Sequence, residues 1–281
     1  MATRKAAVSR TKPSRVKEVA KTSPDVRATK RAKADVEEEA ASPELGMSQT
    51  DAALNAIRSR IIDLTIPPGS RIDEPLLLNN FLLGRTPARE AINRLVAEGF
   101  VNIVPNRGGT FVRKLDFEEI GEILVAHQLA ENILGQLLRF EATLADDLSA
   151  IQERYRKEVR DRRYLNITAL NEQFHMRMNQ SVGNSFFYEF AQSTHRHVRR
   201  LLVHLYKLEA AAEPGQQDEQ FKRNLDEHDR IIEIVRNKDR AALVELLPDH
   251  ARATQERFVH ILAGKTVDPF PILLQPLEEH S

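Results

Sequence analysis

The stretch Arg85-Thr86-Pro87-Ala88-Arg89-Glu90-Ala91-Ile92 constrains this chain more than any other. Thr86 has a hydroxyl that can cap a helix, and Pro87 suits a first helical position, where a missing N–H costs nothing. Glu90 then falls in the first turn, where the helix dipole favours an acid. Ile92, Leu95 and Val96 continue an apolar face, and Gly99 provides a stop. Phe100 to Val104 alternates as a short strand, Pro105-Asn106-Arg107-Gly108-Gly109 is turn chemistry, and Thr110-Phe111-Val112-Arg113 returns. A helix followed by a small hairpin with Arg-Gly-Gly at its tip reads as a winged helix.

The preceding residues supply the rest of that unit. Ala53, Ile57, Ile61 and Leu64, with Leu54 beside them, form a helical stripe that ends before Pro67-Pro68-Gly69. A shorter helix follows from Glu74 to Phe81, with Asp73 as its cap. Residues 47–115 carry nine Lys/Arg against six Asp/Glu, a balance suited to phosphate contact. In such a unit Arg85, Thr86, Arg89 and Arg94 belong to the recognition helix, whose N-terminal tip reaches base edges. Arg107 and Gly108 belong to the wing, where Arg107 either enters a minor groove or grips phosphate, or is an ordinary solvated turn residue.

Three separated motifs, "IPPGSRIDE" (66–74), "GRTPAREAINRLVAEGFV" (84–101) and "NRGGTFV" (106–112), together resemble the GntR family of bacterial transcription regulators. The resemblance covers all of 47–115. That family usually has Gly-Val-Ser before Arg-Thr-Pro, whereas this chain has Leu82-Leu83-Gly84. The resemblance implies a double-stranded DNA operator as partner.

Length and composition bound the remainder. A chain of 281 residues is expected to hold two domains, and 41% apolar content can fill real cores. There is no cysteine, which excludes disulfides and thiolate metal sites and fits a reducing, cytoplasmic setting in a bacterium. No apolar run approaches a membrane span. Net charge is zero but unevenly spread: residues 1–46 hold eleven Lys/Arg, mostly before Lys33, then Glu37-Glu38-Glu39. This composition reads as a disordered tail, either an inert extension or a basic arm that adds salt-sensitive DNA affinity. A mitochondrial transit peptide is a third reading, opposed by the bacterial look of the following domain.

From Asp116 the pattern is helical almost throughout, giving an all-α bundle over 116–265 and a C-terminal tail over 266–281. Asp116 with Glu119 three residues on opens a long helix. Further helices are expected near 143–163, 166–181, 185–210, 218–237 and 240–263. The fold class is therefore mostly α, a winged helix-turn-helix followed by an all-α helical bundle.

The bundle's chemistry lies in polar residues on apolar stripes. Asn171 and His175 stand beside Leu170, Phe174 and Met178; His228 sits among Leu225, Ile232 and Val235; His250 follows Leu243 and Leu247. Each alone is an ordinary core histidine. His228 and His250 would lie about 33 Å apart on one continuous helix. A turn near Asn237-Lys238-Asp239 instead returns them to one level, where His175 and Asn171 complete an N/O site for zinc, nickel or manganese. Pro248 is expected to kink the helix before His250. His127 and Glu131 interrupt the stripe Ile120, Leu124, Leu134, Leu138, reading either as a polar pocket lining or as a buried hydrogen bond. His195, Arg196, His197, Arg199 and Arg200 read mostly as a solvated face, with one arginine, Arg199, turned toward an anionic effector.

"NEQFH" (171–175), "GN" (183–184), "EHDRI" (227–231) and "PDHAR" (248–252) resemble the FCD effector domain of the FadR subfamily. That resemblance implies a divalent metal at Asn171, His175, His228 and His250, and a small carboxylate or related metabolite beside it, with His127, Glu131 and Arg199 around the effector. It also implies a homodimer. Members commonly carry Asp where this chain has Asn171, and Arg where it has His127. The functional reading is a ligand-responsive regulator, a repressor and not an enzyme. The alternative is a metal-dependent enzyme fused to a DNA-binding module, for which the sequence offers no convincing nucleophile or acid/base pair.

Overall fold

The computed structural model describes residues 48–81, 83–105, 108–212 and 214–263. The two tails and the wing residue Arg107 lie outside them. Three helices open the described residues: α1 (Gln49–Ile62), α2 (Glu74–Phe81) and α3 (Arg85–Ala97). The Ser48 hydroxyl accepts from the Asp51 amide at 3.1 Å to start α1, and the Asp73 carboxylate accepts from the Leu76 amide at 3.1 Å to start α2. Leu64, expected in the first apolar stripe, lies past the end of α1 with a left-handed φ of 65°.

The recognition helix begins earlier than the Thr-Pro pair implied. Gly84 is its N-cap in extended conformation and makes no side-chain cap bond, so Arg85 is the first helical residue and Pro87 the third. Pro87 still fits, because the first-turn N–H groups of a helix have no intrahelical acceptor. Glu90 falls past the first turn and pairs with Arg94 at 2.8 Å. Gly99 ends the helix at φ +78°, a conformation that side chains resist.

Two antiparallel strands form the wing, β1 (Val101–Val104) and β2 (Gly109–Val112), with Val101 opposite Val112 and Val104 opposite Gly109. Arg71 bridges to Phe111 on the outer edge of β2. Ile57, Ile61, Ile72, Leu77, Leu95, Phe100 and Val112 fill the core between helices and wing.

The second part is built from α4 (Phe117–Leu137), α5 (Leu144–Arg160), α6 (Tyr164–Gln180), α7 (Ser185–Ala212), α8 (Pro214–Asn237) and α9 (Arg240–Ala263). The Asp116 carboxylate accepts from the Glu119 amide at 3.2 Å, as expected, but the Glu119 side chain turns to Arg113. α4 packs along α9, α5 along α6, and α6 along α7. At Gly135 the approach of α4 to α9 is tight: a Cβ there would lie 3.2 Å from Val244 Cα, so the backbone would have to give by a few tenths of an ångström. The helix α9 continues through Pro248.

The winged helix and the bundle belong to one compact unit. α7 makes much of the junction. His197 Nε2 donates to the Glu98 carbonyl at 2.9 Å, and its ring stacks on Phe100 with centroids 4.2 Å apart. Arg200, fully buried, donates to the Arg113 carbonyl, and Lys207 Nζ donates to the Asp63 carbonyl at 3.2 Å. Burial pushes the Arg200 guanidinium down to about 10 against the opposing pull of Glu119. The basic stretch of α7, read as a solvated face, thus faces inward: His195 and Arg200 are buried, and Arg196, His197 and Arg199 are half-buried. Its helical period continues the stripe of Phe187, Ala191, Val198 and Leu202, and the density of charge obscured that.

Candidate DNA interface and buried histidine centre

On α3, Arg85, Thr86 and Arg89 are exposed near the N-terminal end. The Arg89 guanidinium donates from Nε and Nη2 to Glu74 Oε1 at 2.8 and 2.7 Å, yet its side chain is 69% accessible. An exposed pair of this kind costs little to break, so Arg89 can exchange Glu74 for another acceptor. Arg94, in the last turn, bridges Asp51 of α1 at 2.6 Å and Glu90 at 2.8 Å. Its visible contacts brace α3 against α1. Gly108 turns the wing at φ +58°, and a Cβ placed there would meet nothing within 4 Å.

Inside the bundle, five helices bring titratable side chains together. His127 and Glu131 come from α4, His175 from α6, His195 from α7, His228 from α8 and His250 from α9, and all are buried. Donor atoms of His175, His228 and His250 lie within 4.8 Å of one another, and so do those of His127, Glu131 and His195. Asn171 is also buried, one turn before His175, with its carbonyl oxygen 3.5 Å from the Asn224 amide.

Hydrogen bonds fix which ring nitrogens are free. His175 Nδ1 lies 3.0 Å from Glu131 Oε1, His250 Nδ1 lies 2.7 Å from Glu227 Oε2, and His228 Nδ1 lies 3.1 Å from Gln152 Oε1. The Gln152 amide nitrogen donates to the Leu225 carbonyl and to Asp229, both at 3.0 Å, which turns its oxygen to His228. All three acceptors therefore take an Nδ1 proton, and in a neutral ring the Nε2 is then a lone pair. His175 Nε2 and His250 Nε2 face each other at 3.3 Å, and His228 Nε2 has no partner among the described residues.

Two facing lone pairs repel unless a proton or a cation lies between them. Nitrogens on a tetrahedral zinc ion, each about 2.0–2.1 Å from the metal, sit about 3.3 Å apart. Acceptors behind the imidazoles are the usual second layer of such sites. The donor set therefore fits a divalent metal.

Electrostatics agree. Burial pushes His228 and His127 well below the ordinary imidazole range, and His175 down as well, which favours the neutral rings. Burial alone would raise the Glu131 carboxyl, but His175 and His195 beside it hold it well below the carboxylate range. An ionised carboxylate and neutral imidazoles are the forms a metal requires.

Of the two readings of His127 and Glu131, the direct hydrogen bond is not made, since His127 Nε2 is 4.0 Å from Glu131 Oε1. Glu131 instead serves His175, and His195 Nε2 at 3.2 Å. Arg199 does not reach the cluster through the contacts it makes: Nη1 donates to Glu172 at 3.2 Å. Sequence reasoning missed His195, Gln152 and Glu227. His195 was legible as the residue one turn beyond Ala191. Gln152 and Glu227 act only through other side chains and leave no local pattern.

Comparisons with known proteins agree with this architecture. The family model described as "Bacterial regulatory proteins, gntR family" matches residues 49–112, and that of the FCD domain matches residues 124–253. The gluconate operon transcriptional repressor of Bacillus subtilis (strain 168) is 24% identical over 203 residues, covering 72% of this chain and 81% of that protein. Among solved structures, E. coli McbR/YncC aligns at a TM-score of 0.61 with 16% identity, over 78% of this chain and 99% of that one. A GntR putative regulator from Rhodococcus sp. RHA1 aligns at 0.61 with 19% identity, over 75% and 98%. Both structures share the fold. Among the described residues, no helix is long and apolar enough to cross a membrane. With the two family matches spanning well over half of its length, the chain belongs to the gntR family of bacterial regulatory proteins, a DNA-binding transcription regulator whose helical part is an FCD domain.

Proposed function

We propose that this regulator is a cytoplasmic, homodimeric repressor whose bundle holds one divalent metal through His175, His228 and His250, with Asn171 beside them. A small organic acid binds next to that metal and changes the hold of the winged helix on its operator. The facing Nε2 atoms of His175 and His250, 3.3 Å apart with both Nδ1 protons engaged, carry this reading. Zinc, nickel and manganese all accept such nitrogen donors.

DNA contact falls to Arg85, Thr86 and Arg89 at the tip of α3, with Arg94 behind them and Arg107 and Gly108 on the wing. Leu129, Ile133 and Leu137 form an exposed apolar row along α4, at 45%, 38% and 48% accessibility. Phe186 and Phe190 are exposed on α7. These exposed apolar residues support a dimer in which a second copy covers them, and a two-fold dimer reads a two-fold operator. The division between the two domains falls near residue 115.

Metal analysis of the purified, dialysed protein, beside His228→Ala and His250→Ala, tests the centre. The intact protein is expected to retain metal that both variants lose. Operator binding followed by fluorescence anisotropy, with citrate, lactate and gluconate as probes, should then show an acid response in the loaded protein alone. Equal metal content in all three proteins would leave these histidines as core hydrogen-bonders and sink the reading.

A further inference from the structure

We propose that His127, Glu131 and His195 form a second divalent-cation site, beside the three-histidine site and joined to it by Glu131. This rests on the reading of the bundle as a metal-binding domain, and adds to it a second ion held by different residues.

The geometry begins with an unbalanced carboxylate. Glu131 is fully buried, and its Oε1 takes both close imidazoles, His175 Nδ1 at 3.0 Å and His195 Nε2 at 3.2 Å. Its Oε2 has no hydrogen-bond partner among the described residues. A buried, ionised oxygen left without a donor is costly, because the interior supplies no water to replace one. Glu131 can thus orient His175 with one oxygen and hold a cation with the other.

His127 presents the same deficit from the opposite side. It is 4% exposed, its Nδ1 has no partner among the described residues, and its Nε2 stops 4.0 Å from Glu131, beyond hydrogen-bond reach. Its ring stands nearly perpendicular to that of His195, 82° between planes with centroids 5.4 Å apart. This edge-to-face contact packs the two rings but supplies no hydrogen-bond partner to His127 Nδ1. Asn179 adds a further oxygen: its amide nitrogen is 2.9 Å from the His175 carbonyl and 3.5 Å from His195 Nε2, while Oδ1 has no partner among the described residues.

These unmet groups are one carboxylate oxygen and one imidazole nitrogen on α4 and one amide oxygen on α6. The donor atoms of His127, Glu131 and His195 already lie within 4.8 Å of one another. A divalent ion drawing them to ligand distance would need movements of about an ångström or so, given metal–ligand lengths near 2.0–2.2 Å. A hydrogen-bonded trio without a cation would leave Glu131 Oε2 and His127 unmatched. Two imidazoles and a carboxylate suit zinc, manganese or iron(II).

The test is metal stoichiometry on the full chain, stripped with chelator, dialysed and titrated with Co(II) and then Zn(II). Calorimetry and elemental analysis should give two ions per chain. His127→Ala and His195→Ala should each lower this to one, and the ion remaining should be the one lost in His228→Ala. Glu131→Gln, which keeps the shape, guards against a folding failure and should also lower the count to one. The visible spectrum of the Co(II)-loaded intact protein, which needs no variant, should show two successive saturation points. One ion per chain, lost in His228→Ala and kept in His127→Ala and His195→Ala, would overturn this site while leaving the three-histidine site standing. Two ions unaffected by His127→Ala and His195→Ala would overturn it too. No bound ion at all would overturn both.

Discussion

His197 holds the end of the recognition helix: its Nε2 donates to the carbonyl of Glu98, the C-cap of α3, at 2.9 Å. The imidazole also stacks on Phe100, where the wing begins. Arg58 of α1 completes the corner by pairing with the Glu98 carboxylate at 2.5 Å. The bundle thus grips the C-terminal end of α3, and the N-terminal end, with Arg85, Thr86 and Arg89, is left exposed.

His197→Phe keeps the stacking and removes the hydrogen bond. It is expected to lower stability by about 0.5–1.5 kcal/mol, the usual net worth of one such bond. Operator affinity without effector should change little, while the response to effector should shrink. Thermal melts and anisotropy titrations check this, and an undiminished response would place the coupling elsewhere.

Arg89→Ala should lose about 1–3 kcal/mol of discrimination between operator and scrambled DNA if the guanidinium reads a guanine edge. Glu74→Ala frees the same guanidinium and should raise affinity for both DNAs. Footprinting on the gene's own promoter measures the first effect. Unchanged selectivity would mean that Arg89 does not read bases.

Gly135→Ala should destabilise the bundle by about 1–3 kcal/mol, because the new methyl meets backbone at Val244 and cannot push a side chain aside. Denaturant unfolding is the measurement. A neutral result would mean that α4 and α9 separate easily.

Removing residues 1–46, with their eleven Lys/Arg, should flatten the salt dependence of DNA binding and leave the preferred sequence unchanged. An identical salt slope in the truncated protein would reduce that segment to an inert extension.

The architecture was legible where local chemistry and period agree. Gly99, the alternation from Val101 to Val104, and the Asp73 and Asp116 caps each leave a signature within a few residues. Helix starts were less legible. Thr86 and Pro87 are both tolerated inside the first turn, so their presence did not fix the N-cap at Gly84. In the bundle, three histidines could be brought together from stripe position and hairpin arithmetic alone. Another, His195, sits among Arg196, His197, Arg199 and Arg200, and charge density there imitates a surface. Glu131 was found as a break in a stripe, but its acceptor role depends on α6 and α7, which no spacing along α4 can reveal.

α7 also limits how this protein can be rebuilt. His195 and His197 are two residues apart, roughly 200° around a helix and about 3 Å along it. One face of a single rod therefore completes the buried centre while the opposite face docks the winged helix. A chimera spliced between Val112 and Phe117 would transplant the DNA-reading part intact, yet seat it on a foreign α7. Exchange of operator specificity between relatives accordingly requires the graft to include the Glu98–Phe100 corner and a matching residue at 197. Modularity here ends not at the linker but at the register of one helix.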